Sequence, residues 1–115
     1  MNREPRYFYE PSSGLLVAVP LQHQDKEAIL TAADFSRFSE SGGSSRFHLN
    51  DNGSGRCYVR GRFDGRKVMI ARYVARATRG QIVQYRDGDP LNLRPENLVL
   101  EGGPGRSDCR LVENF

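Results

Sequence analysis

This chain is poor in the residues that most small extracellular domains and zinc modules depend on. Two cysteines, Cys57 and Cys109, are too few for a disulfide framework, and no CxxC is present. Adding His23 and His48 gives four soft ligands whose spacing fits no common zinc site. Cys57 reads as a small apolar residue in a strand. The longest apolar run, LLVAVPL at 15–21, is too short to span a bilayer and holds Pro20. The opening MNREPRYFYE has no apolar signal-peptide core. A cytoplasmic protein with no membrane partner is expected. Hydrophobic residues make up 37% of 115 positions, so one small domain with a small core is expected.

What is abundant is arginine, fifteen of the seventeen basic residues. Residues 1–55 carry five basic and seven acidic side chains, whereas residues 56–106 carry eleven basic and five acidic. The basic excess is therefore local. Arginine makes forked contacts with phosphate and guanine edges, so nucleic acid is one reading and a solvated arginine-rich face is the other.

Local patterns predict an α+β fold of small antiparallel hairpins and short helices. YFYE and LLVAV flank a PSSG turn, and AIL at 28–30 reads as a further strand. Thr31 and Asp34 cap a helix over TAADFSRFSES, with Phe35 and Phe38 on one face. FHLN is a strand. CYVRGRF-DG-RKVMIA is a hairpin about Asp64-Gly65, a type I′ signal. Alternation places Tyr58, Arg60 and Arg62 together, facing solvent or a phosphate backbone, with Arg66 and Lys67 following the turn. ARYVARATRG reads as a helix ended by Gly80, with Arg72, Arg76 and Arg79 as a basic stripe. IVQY is a strand, RDGD a turn, and Pro95 opens a short helix holding Asn97 and Leu98.

The stretch VQYRDGDPLNLRPENLVL resembles the core of HNH endonucleases of the phage and homing-endonuclease type. The resemblance rests on Asp87, Gly88, Asp89, Leu91, Asn92, Arg94, Glu96, Asn97 and Leu98, with the hairpin and the ARYVARA segment upstream. It spans roughly residues 28–101, leaving 1–27 as an N-terminal hairpin region and 102–115 as a tail. It implies a C-terminal ββα unit in which one divalent cation stabilises charge on the scissile phosphate and a His is general base. The base position, twelve before the ENL asparagine, falls on Tyr85, and the neighbouring ligand position on Gln84. A ligand position about nine after Asn97 falls near Arg106, and the upstream His-Arg pair reads Ala71-Arg72. Asn97 matches the asparagine that braces the loop.

The departures weigh against cutting. A tyrosine of ordinary pKa, about 10, is a poor base at neutral pH. Glutamine is a weaker Mg²⁺ ligand than a carboxylate, and arginine repels the ion or replaces its charge on phosphate. One expectation is thus a domain that binds DNA without cleaving it or holding a cofactor, using Arg60, Arg62, Arg66, Lys67, Arg72, Arg76, Arg79, Arg86 and Arg94. Tyr85 either stacks on a base or packs in the core. A second is a Mg²⁺- or Mn²⁺-dependent DNA endonuclease with a relocated site at Asp87, Asp89 and Glu96, residues that also suit turn and helix-start roles. A third is a protein-interaction module of a phage or mobile element, with a protein partner on the acidic N-terminal half and YFYE.

Overall fold

The computed structural model describes residues 4–51 and 57–102, and it is an α+β arrangement of three antiparallel sheets and two short helices. In the first sheet, β1 (Arg6–Glu10), β2 (Gly14–Pro20) and β3 (Glu27–Thr31) pair in that order. The continuous apolar run of β2 has a direct physical cause, because both of its faces are covered. Leu16, Val17, Ala18 and Val19 are all essentially inaccessible to solvent. Residues 27 and 28 both lie in β3, which extends the sheet begun by β1 and β2.

Thr31 closes β3 and caps α1 (Ala32–Glu40), its Oγ1 accepting from the Asp34 N–H at 3.1 Å. The helix lays Phe35 and Phe38 into the core, against Phe47 just before the second sheet. Phe38 is the centre of an aromatic cluster, 5.0 Å from Tyr73, 5.4 Å from Phe63 and 6.0 Å from Phe47 by ring centroid. Gly43 lies directly on this ring, where an added Cβ would come within 2.3 Å of it.

The second sheet is β4 (His48–Asp51), β5 (Cys57–Phe63) and β6 (Arg66–Met69). Asp64 and Gly65 both adopt positive φ, 54° and 81°, as the type I′ hairpin requires. Val59, Gly61, Phe63 and Val68 share the core face. Tyr58, Arg60 and Arg62 share the other with Lys67 and Met69. Arg66 stands opposite Phe63 in the register, on the reverse face of the hairpin.

The next helix, α2, is shorter than its sequence pattern predicts. It runs only from Ile70 to Ala75 and ends where Arg76 turns left-handed, at φ 58° and ψ 44°. Arg79 lies beyond it, so the Arg72, Arg76, Arg79 stripe does not form. The cause is a competing set of bonds. Arg72 donates to the carbonyls of Thr78 and Gln81, and Gln81 Oε1 accepts from the Thr78 N–H and hydroxyl. These fold the chain back before a third turn can add.

The third sheet pairs β7 (Gln81–Tyr85) with β8 (Leu98–Gly102). The expected helix at Pro95 is a single 3-10 turn, Pro95–Asn97, and Leu98 already opens β8. The helix that would complete a ββα unit, with the position near Arg106, lies outside the described residues. The segment between β7 and β8 does not loop free. The Ile29 N–H donates to the Leu91 carbonyl at 2.8 Å and the Leu93 N–H to the Ile29 carbonyl at 2.7 Å, so 91–93 adds in parallel to the edge of β3. Among the described residues no helix is long and apolar enough to cross a membrane.

Candidate nucleic-acid interface

The loop between β7 and β8 is organised from one residue. Asn97 is 5% exposed, and each end of its amide is used. Its Oδ1 accepts from the Asp87 N–H at 3.0 Å, and its Nδ2 donates to Asp87 Oδ1 and to the Asn92 carbonyl, both at 2.9 Å. Asn92 Nδ2 donates to Asp87 Oδ2, and Asp87 Oδ1 also accepts from the Asp89 N–H. Asp89 in turn accepts from the Leu91 N–H. The Asp-Gly-Asp turn is thus closed by its own carboxylates, with Gly88 at φ 76° supplying the backbone sign that other residues resist.

These bonds hold two carboxyls below their usual range. For Asp87 the leading cause is the Asn92 amide, then the Asp89 N–H. For Glu96 it is its own backbone N–H, followed by Ser13 and the Arg94 guanidinium. A depressed folded-state pKa contributes stability above the ordinary carboxylate range and loses it as pH falls. The loop is therefore weakened by acid.

The positions that the HNH resemblance assigns to metal and base do not fit a divalent cation. Gln84 is exposed and donates to Glu101 Oε1 at 3.1 Å. Tyr85 packs against the core, and its hydroxyl is buried without a hydrogen-bond partner among the described residues. Burial pushes its phenol up to about 12, the wrong direction for a base at neutral pH. Asp87 and Asp89 are spent on the turn, and Glu96 accepts from Ser13 at 2.9 Å. Among the described residues no three His, Cys, Asp or Glu side chains gather as a metal site.

Tyr85 makes a checkable prediction. Its folded-state pKa lies above the unfolded value, so the folded chain holds a proton that the unfolded chain releases. Stability is then expected to fall as pH rises from about 10 to about 12. Tyr85→Phe removes an unpaired buried hydroxyl and is expected to be neutral or stabilising by about 1 kcal/mol. Urea unfolding at about pH 7 and about pH 10.5, on either side of the ordinary phenol pKa, reads both effects, with a smaller loss at high pH in the variant.

The arginines divide into two groups. Arg72 braces the turn after α2, Arg86 Nε donates to the Glu96 carbonyl at 3.0 Å, and Arg94 donates through Nε and Nη1. Arg94 meets Glu10 at 2.8 Å, Asn92 Oδ1 at 2.9 Å and Ser13 Oγ at 3.1 Å, stapling the β1–β2 turn to the loop. These three arginines brace the structure at positions that the sequence reading places in the phosphate-binding set. The second group lies on the outer face of β4–β6. Among the described residues Arg60 donates to Asn50 Oδ1 at 2.8 Å and Arg62 to the Gly65 carbonyl at 3.3 Å, both neutral partners. Lys67 sits opposite Arg62, and none of the three forms an ion pair among the described residues.

This face contains residues that the sequence pattern alone does not single out. His48 and Asn50 stand opposite Arg60 and Tyr58, and with Arg60, Arg62 and Lys67 they line a groove of about 260 Å³. The signal is present as period-2 alternation in FHLN, but alternation does not name the partner strand. The same face continues through Tyr58 and Met69 into an open cleft of about 690 Å³. Arg72, Ile82, Gln84 and Tyr85 form its far side. A basic track therefore leads to a cleft with an aromatic wall. Comparison with protein-family models, with curated proteins and with solved structures finds no match to this chain.

Proposed function

We propose that the chain is an HNH-like domain, acting in the cytoplasm, that binds DNA through its phosphate backbone and does not cut it. The observation that carries this reading is the outer face of β4–β6, where Arg60, Arg62 and Lys67 stand together without a carboxylate partner among the described residues. Such a face meets phosphates at low desolvation cost, because no internal ion pair must first be broken. The donor chemistry at Gln84 and Tyr85 supports binding without metal-assisted cleavage. The braced loop supports descent from the HNH scaffold.

The test is anisotropy with a labelled duplex in EDTA and in Mg²⁺, across a salt series. Binding is expected to be the same in both and to weaken steeply with salt, through counterion release. Replacing Arg60 and Arg62 by Gln should lower affinity by about tenfold or more and reduce the salt slope by about two. Lys26→Glu changes the net charge equally from a loop off this face, and should bind like the parent. Equal affinity in all three chains would sink the reading. Plasmid nicked only with metal would restore the endonuclease alternative.

A further inference from the structure

The outer edge of β1 has no partner among the described residues, because β1 is the terminal strand of its sheet. Beside it lie three of the four large exposed apolar side chains among those residues, Tyr7 at 52%, Tyr9 at 70% and Leu15 at 52%. Helix α1 packs on β2 and β3 and leaves this corner open. Tyr9 and Leu15 are cross-strand partners, as are Tyr7 and Val17, so the exposed residues share one face.

The sequence of this edge, Arg6-Tyr7-Phe8-Tyr9-Glu10, is complementary to itself when run antiparallel. A two-fold axis at Phe8 sets Arg6 opposite the other strand's Glu10, Tyr7 opposite its Tyr9, and Phe8 opposite its Phe8. The match survives either hydrogen-bonding parity of the strand, because the same residue pairs face each other in both. Edge strands that resist pairing carry charges of one sign, usually Lys, so that a second copy is repelled. Here the two ends are of opposite sign and in attractive register. Both charged groups are already ordered at the edge. Arg6 binds Glu27 at 2.9 Å and lies 5.5 Å over the Phe8 ring, yet its side chain remains 61% exposed. Glu10 uses Oε1 for Arg94 and Ser12, and among the described residues Oε2 is left to accept from a second chain.

We propose that two copies of this chain associate by antiparallel pairing of their β1 strands about Phe8, joining the two first sheets into one six-stranded sheet. Two Arg6–Glu10 pairs and the Phe8 pair line one face, and two Tyr7–Tyr9 pairs flanked by Leu15 line the other. The interface is small, so the dimer is of the transient class, with association in the micromolar range. The inference is independent of the nucleic-acid reading.

Sedimentation equilibrium from about 5 to about 300 µM, a range that brackets such affinities, is the test. The mass should rise with concentration from 13.0 kDa toward twice that value. Arg6→Glu alone and Glu10→Arg alone should each remain monomeric, since each sets like charges opposite one another twice. An equimolar mixture of the two variants should dimerise again, because the mixed pair sets two acidic positions against two basic ones. Misfolded variants would not be rescued by mixing. A wild-type chain that stays monomeric throughout, or a dimer that persists in both single variants, overturns the proposal. Amide hydrogen exchange in the unsubstituted chain gives a second arm that needs no variant. Protection at residues 6–10 should rise with concentration, and unchanged protection also overturns it.

Discussion

Asn97→Ala is expected to lower stability by about 3 kcal/mol, from three lost hydrogen bonds at about 1 kcal/mol each. In a domain of this size that is a fall in Tm of about 12 to 20 °C. Three contacts close the Asp87 turn from this one amide, at 2.9 to 3.0 Å. Alanine leaves the Asp87 N–H and the Asn92 carbonyl unpaired beside a 5% exposed position. Asn97→Asp separates bonding from shape. It keeps the acceptor for the Asp87 N–H but sets a second carboxylate where Nδ2 met Asp87 Oδ1. That repulsion raises the pKa of the pair, so the variant's deficit should be largest at neutral pH and shrink as pH falls. Thermal unfolding at about pH 4 and about pH 7, within and above the ordinary carboxylate range, reads it. A loss that does not depend on pH would mean that solvent screens the added carboxylate and that Asn97 acts by packing alone.

Phe38→Ala is expected to cost about 3 to 5 kcal/mol, which is about a fifth or more of the stability of a typical small domain. The ring is 1% exposed and sits among Phe47, Phe63 and Tyr73, residues from three separate stretches of the chain. The backbone of Gly43 is pressed against one side, and the β4–β6 sheet stands behind the others, so the cavity cannot close by a small shift. Because Phe63 ends β5, the variant should also loosen the sheet that carries Arg60 and Arg62. Urea denaturation measures the first effect. Hydrogen exchange at the β5 and β6 amides measures the second, and unchanged protection would mean that the hairpin holds its own shape.

Legibility in the sequence follows the range of the deciding interaction. The Asp64-Gly65 hairpin and the Thr31 cap are readable because each is settled within four residues. The face of Arg60 and Arg62 is readable from alternation. The end of α2 is not, because Arg76 takes a left-handed conformation that arginine does not advertise, under bonds from Arg72 to residues 78 and 81. Arg94 reads as a free cation because its partner Glu10 lies 84 positions away. His48 and Asn50 escape notice because their neighbours are set by strand pairing. Asn97 stands out by resemblance, and the structure places its amide at the centre of the loop's bonds.

The addition of 91–93 to the edge of β3 has a consequence for how the chain reaches its native state. Ile29 and Leu93 are more than sixty residues apart, so their pairing closes most of the chain into a loop. The β7–β8 turn can acquire its final support only after β3 has formed and been found across that distance. Its bracing is therefore expected to come late in folding, so that weakening it should speed unfolding more than it slows folding.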